Sequence, residues 1–179
     1  MKKNIPNCIT LFRLLLVFVF IFIFVSDMEN KSLYCVVTFV LSGISDVLDG
    51  FLARKFNIIS NFGKLMDPLA DKLMQITVAV CTATVQPTLI WVPAFLVLKE
   101  LLMVLGATKL FKKDNIVVQA NFYGKLASVI CFLVFLVILV FPGINPFIEH
   151  LLCLSFAVVS ALAFLKYIQE YSVIYKKNK

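Results

Sequence analysis

Apolar residues arrive in six long runs, at about residues 9–26, 33–53, 65–85, 88–108, 126–142 and 147–168, and these runs constrain the chain more than any other feature. A helix that crosses the hydrocarbon core of a bilayer needs about 20 mostly apolar residues. Six such runs in 179 residues leave no stretch from which a water-soluble domain could be built. The chain is 61% hydrophobic and 15% charged, whereas soluble domains have about 45–50% apolar residues and about a quarter charged. The expected fold is therefore an all-α integral membrane protein with six transmembrane helices, forming a single polytopic membrane domain over residues 1–179. The breaks between runs carry ordinary punctuation: Ser26 to Ser32, Arg54 to Gly63, Gln86-Pro87, Lys112 to Asn121, Pro142-Gly143 and Asn145-Pro146.

With six spans, successive loops alternate sides, so the basic residues test the count independently of hydropathy. Lys2, Lys3, Arg13, Arg54, Lys55, Lys64, Lys72, Lys99, Lys109, Lys112, Lys113, Lys125, Lys166, Lys176, Lys177 and Lys179 all fall on or toward one face, leaving Lys31 for the other. This asymmetry predicts a multi-pass protein of the cell membrane with both termini cytoplasmic. The formal net charge of +7 would suggest nucleic acid in a soluble protein; here it reports topology, and no nucleic acid partner is expected. Lys2 and Lys3 ahead of the first run resemble a signal peptide, but no A-x-A cleavage site follows, so the run is read as the first span. Cys8, Cys35, Cys81, Cys131 and Cys153 are scattered and form no CxxC pair, which reads as small core hydrophobes. His150 lies on the far side with no evident role, and Trp91 suits an interfacial anchor at the outer end of the fourth span.

Asp46, Asp49, Asp67 and Asp71 lie within the apolar segments, where a carboxylate costs a few kcal/mol or more unless it is paired or solvated. Asp46 and Asp49 are spaced i,i+3 near the end of the second span, and Asp67 and Asp71 i,i+4 near the start of the third, so each pair shares a helix face. At 1.5 Å rise per residue, Asp46 sits about 12 Å inward from Arg54 and Asp71 about 10 Å inward from Lys64. Antiparallel packing can thus bring the pairs to similar depth. Four facing carboxylates would repel and stay partly protonated unless hard cations neutralised them through oxygen coordination. Two Mg²⁺ or Mn²⁺ ions would suit a phosphoryl reaction, because they neutralise a diphosphate and stabilise its leaving group. Gly50, Ala53 and Gly63 permit close helix approach or admit a bulky ligand, and Arg54 is placed to meet a phosphate. In the alternative reading, the carboxylates pair with Arg54, Lys64 and Lys72 merely to hold the bundle together. A cation transporter or channel would also place acids between helices, with ion flux and no nucleotide turnover.

The residues read Asp46-Val-Leu-Asp49-Gly50-Phe-Leu-Ala53-Arg54, then eight residues, then Gly63-Lys-Leu-Met-Asp67-Pro-Leu-Ala-Asp71. This resembles the signature of the CDP-alcohol phosphatidyltransferase family, with all eight of its defining positions at the expected spacing. The resemblance implies a homodimer of six-helix protomers in membrane lipid, a metal-dependent site opening to the cytoplasmic side, and transfer of a phosphatidyl group from CDP-diacylglycerol to a small alcohol with CMP as leaving group. It further implies that Asp46, Asp49, Asp67 and Asp71 are metal ligands, that Asp71 is also the general base, and that Gly50, Ala53, Arg54 and Gly63 line the CDP pocket.

The amino-terminal Ile5-Pro-Asn7-Cys-Ile-Thr10-Leu-Phe-Arg13 is similar to family members that make phosphatidylglycerophosphate, which implies that Asn7 and Thr10 lie near the nucleotide. The alternative is an N-cap at Asn7 with Arg13 snorkelling to the membrane surface. Those members carry Arg-Glu in the fourth span and Gly-Lys-x-Lys-Thr at the start of the fifth. Here the corresponding residues are Lys99-Glu100 and Gly124-Lys125-Leu126-Ala127. Glycerol 3-phosphate is the first expectation for the acceptor, with Lys99, Lys109 and Lys125 as candidate phosphate ligands, although Lys is less directional than Arg. Phosphatidylglycerol, as in cardiolipin synthases of this family, is the second. Lys112 and Lys113 read as loop charges that contact anionic head groups.

Overall fold

A computed structural model describes residues 5–56, 61–114 and 122–177, with side chains at 9–51, 69–105, 124–166, 168 and 169. Six helices account for the six apolar runs: α1 (Ile5–Val25), α2 (Lys31–Phe56), α3 (Asn61–Val85), α4 (Trp91–Asp114), α5 (Phe122–Val140) and α6 (Pro146–Lys177). A 3₁₀ turn over Pro87–Leu89 precedes α4. No strand occurs among the described residues. The helices overrun the apolar runs at several ends, most at α6, which continues from Ile168 to Lys177, because polar residues past the last apolar one continue a helix at little cost.

Sequence punctuation sets the ends. Asn145 caps α6: its Oδ1 accepts from the Phe147 N–H at 2.9 Å, and its carbonyl oxygen from Ile148 and Glu149. Pro146 stands at the first helical position, where a missing N–H costs nothing. Gly143, at φ 93°, supplies the left-handed residue needed between α5 and that cap. Inside the helices, hydroxyls turn back on their own backbone: Thr38 donates to the Tyr34 carbonyl at 2.8 Å, Ser45 to Leu41 at 2.7 Å and Thr82 to Val78 at 2.8 Å. In an apolar surrounding this keeps polar side chains satisfied without a partner from outside.

The chain divides into two compact units. The first contains α1, α2, α3 and the last part of α5 from Phe135. Here α1 packs extensively on both α2 and α3, which touch each other much less. The buried face of α1 runs through Thr10, Arg13, Leu16, Val17 and Phe20, the 3–4 residue spacing of one helix stripe. Cys35, Thr38, Phe39, Ser42, Ser45 and Asp49 are buried on α2, and Ala70, Met74, Gln75, Val78 and Ala79 on α3. The Ser32 hydroxyl donates to the Leu139 carbonyl oxygen at 3.0 Å, tying the start of α2 to the end of α5.

The second unit holds the 3₁₀ turn, α4, α5 up to Val134 and α6. Its interior includes Leu89, Val92, Leu96, Cys131, Cys153, Phe156 and Ser160. Phe95 and Phe156 meet edge to face with centroids 6.2 Å apart, a favoured aromatic arrangement.

Large apolar side chains also cover the outside, among them Leu15, Phe18 and Phe22 on α1 and Leu98, Leu101 and Leu105 on α4. Apolar surface on this scale belongs against lipid. Lys31–Phe51, Pro87–Leu105 and Pro146–Lys166 are long and apolar enough to cross a membrane, and Ile9–Val25 and Gly124–Val140 are shorter apolar helices. The molecule is a helical membrane protein. Cys35, Cys81, Cys131 and Cys153 are buried and form no disulfide, as expected of small core residues; the side chain of Cys8 lies outside the described ones. The His150 Nδ1 lies 2.8 Å from the Pro146 carbonyl oxygen, within its own helix.

Candidate active site

Helix α2 presents Asp46 and Asp49 one turn apart, and α1 meets them with a cation. Arg13 Nη1 lies 2.8 Å from Asp46 Oδ1, and Nη2 lies 3.7 Å from Asp49 Oδ2. The first is a charge-assisted hydrogen bond and the second a looser ion pair. The Thr10 hydroxyl, one turn before Arg13, donates to the same Asp49 oxygen at 3.2 Å. Thr10, Arg13 and Asp49 are all buried, Arg13 to 1% exposure, whereas the Asp46 side chain is 51% exposed. A guanidinium at that depth would be costly alone; two carboxylates compensate it.

This overturns the reading of Arg13 as a snorkelling side chain. Its position on the inward stripe of α1, between Thr10 and Leu16, points it into the unit where both carboxylates are. A charge in an apolar run has two routes to a partner, water or an acid on a neighbouring helix, and Arg13 takes the second. Thr10, expected near the nucleotide, is fully buried and bonded to Asp49.

Asp71 is arranged differently. It is half-buried on α3, and the Gln75 Nε2 donates to both of its carboxylate oxygens at 3.2 Å. Lys72 Nζ stands 3.7 Å from Asp71 Oδ2, one of the pairings anticipated by the structural alternative. Gln75 is buried, so the carboxylate is held by the turn of helix beneath it. Neither Gln75 nor the role of Arg13 was anticipated from the sequence, yet both leave a signal there. Gln75 lies at i+4 from Asp71, where helical side chains meet, and Arg13 is a lone charge in an apolar run.

Gly50 is exposed on α2, next to Asp49. Asn7, Ala53, Arg54, Gly63, Asp67 and Lys109 lie on helices, but their side chains fall outside the described residues. Among the described residues, no three His, Cys, Asp or Glu side chains converge as a metal-binding group. Asp46 and Asp49 nonetheless offer only carboxylate oxygens, the hard donors that Mg²⁺ and Mn²⁺ prefer, and both already turn toward one cation. The donor set fits a divalent ion. Lys99 and Lys125 belong to the second unit, where Lys99 Nζ lies 2.9 Å from Glu100 Oε1 and Lys125 is exposed.

Several relatives are similar to the chain, each named CDP-diacylglycerol–glycerol-3-phosphate 3-phosphatidyltransferase. The Bacillus subtilis protein is 30% identical over 137 residues, 70% of either chain. That of Haemophilus influenzae is 34% identical over 101 residues, 56% of this chain and 55% of its own. That of Wigglesworthia glossinidia brevipalpis is 43% identical over 74 residues, 41% of either chain. The chain thus spans about half or less of the length of the last two. The model of the family described as CDP-alcohol phosphatidyltransferase matches residues 3–166, a stretch that takes in α1 with Arg13, the whole signature on α2 and α3, and most of α6. The chain belongs to the CDP-alcohol phosphatidyltransferase family.

Proposed function

We propose that the protein transfers a phosphatidyl group from CDP-diacylglycerol to glycerol 3-phosphate, giving phosphatidylglycerophosphate and CMP in phospholipid biosynthesis. The observation that carries this reading is the complete signature on α2 and α3, with Asp46 and Asp49 gathered about one cation. The name shared by the Bacillus, Haemophilus and Wigglesworthia relatives supports glycerol 3-phosphate as acceptor. In this reading six spans cross the cell membrane, with the termini and the site on the cytoplasmic side, and two protomers pair.

The acceptor hydroxyl attacks the phosphatidyl phosphorus, the bond from that phosphorus to the CMP oxygen breaks, and CMP leaves. Asp71 takes the hydroxyl proton. Gln75, by donating to both oxygens of that carboxylate, fixes its plane, so the base meets the hydroxyl in one orientation. Asp46 and Asp49, with Asp67 and Asp71, would hold two Mg²⁺ or Mn²⁺ ions, which neutralise diphosphate charge and stabilise the departing CMP. Gly50, Ala53, Arg54 and Gly63 form the nucleotide pocket, with Asn7 at its edge, while buried Thr10 acts through its hydrogen bond to Asp49. Lys99, Lys109 and Lys125 supply cations for the acceptor phosphate, an electrostatic role that tolerates Lys in place of Arg at some loss of directionality.

The test is Mg²⁺-dependent CMP release by the purified protein from CDP-diacylglycerol, with glycerol 3-phosphate as sole acceptor and the lipid product identified. Phosphatidylglycerophosphate is expected. CMP released only when phosphatidylglycerol replaces glycerol 3-phosphate would keep the chemistry and reassign the acceptor. No release with any acceptor would overturn the enzyme reading.

A further inference from the structure

Arg13 takes no part in the transfer chemistry proposed above, yet its guanidinium sits among carboxylates that this chemistry needs. Its two terminal nitrogens address one oxygen each of Asp46 and Asp49, at 2.8 and 3.7 Å, and Thr10 holds the second of those oxygens from the side. We propose that Arg13 is a tethered competitor for the divalent cation, occupying carboxylate oxygens of Asp46 and Asp49 that the ion would use and so weakening its binding. The inference rests on the reading of this carboxylate pair as a metal site.

The physical argument has two parts. Because α1 carries the guanidinium into contact with α2, the competitor is present at high effective concentration whatever the solution contains. A fixed positive charge a few Å from a second cation also repels it, and on the Asp49 side, where both groups are buried, little water screens that repulsion. The divalent ion still wins at sufficient concentration, since a single guanidinium charge cannot match two positive charges against two carboxylates. The same arrangement offsets one of the two carboxylate charges of Asp46 and Asp49 from within the chain.

Equilibrium Mn²⁺ binding to the full-length protein in detergent tests this without turnover, with free Mn²⁺ read by electron paramagnetic resonance. Arg13→Gln and Arg13→Met remove the charge while keeping much of the stem, and each should bind Mn²⁺ about tenfold more tightly than the parent. Arg13→Lys keeps the charge and should stay within about twofold. Unchanged or weaker binding in a folded neutral variant would overturn the proposal, as would failure of both neutral variants to fold, which would make Arg13 a structural tie. Asp46→Asn and Asp49→Asn separate the two readings: Mn²⁺ binding indifferent to both would remove the metal from this pair, and absence of binding in the parent protein would overturn both.

Discussion

The two parts of the acidic signature are held in opposite ways. Asp46 and Asp49 on α2 find their partners on another helix, Thr10 and Arg13 of α1, more than 30 residues earlier in the chain. Asp71 on α3 is held by Lys72 and Gln75, its own helical neighbours. One site is therefore made by tertiary packing and exists only when α1 docks; the other is present as soon as α3 is helical. The same residue type ties two helices together in the first case, and is held within one helix in the second.

The largest effect that tests this contrast comes from Asp49→Leu. It removes a buried partner of Arg13, and breaking a buried pair from one side costs about 3–5 kcal/mol, so thermal unfolding in detergent should occur well below the parent temperature and CMP release should vanish. A parent-like melting temperature would dissolve the distinction. Asp71→Asn comes next: CMP release should fall at least about a hundredfold, while the melting temperature stays put because the partners of that carboxylate among the described residues, Lys72 and Gln75, lie on its own helix. Retained turnover would remove Asp71 from its proposed role as base. Thr10→Val deletes one hydrogen bond between helices, worth about 1 kcal/mol, and should lower the melting temperature by about 2–4 °C. Gln75→Leu should have the smallest effect. It keeps the volume, leaves stability nearly unchanged and slows CMP release a few-fold by freeing the Asp71 carboxylate to rotate; a large loss of stability would mean that the α3 site, too, is built by packing.

Much of this was legible from residue order. Each of the six apolar runs corresponds to a helix, and the punctuation at Asn145-Pro146 became the cap at the start of α6. Asp46 and Asp49 share a face as their i,i+3 spacing requires, and the described cysteines are buried and outside any disulfide. What could not be read was which helix lies against which. Hydropathy gives the existence of a span but not its rotation or neighbours, because lipid-facing and protein-facing positions are equally apolar in a bilayer. Arg13 was counted with the surface charges for that reason, and only its place on the stripe between α1 and α2 identifies it as the partner of Asp46 and Asp49. The same limit applied to α2 and α3, expected to face each other directly. The structure makes α1 the common neighbour of both.

The hydrogen bond from Ser32 to the Leu139 carbonyl has a consequence for how the protein is made. The first unit is discontinuous: α1 to α3 end at Val85, but its last piece begins at Phe135. A ribosome adding about 5–20 residues per second needs roughly 3–10 s to cross that gap. During that interval the start of α2 waits for the carbonyl its serine will bind, so the amino-terminal helices are inserted as an unfinished body, completed only when the fifth helix emerges.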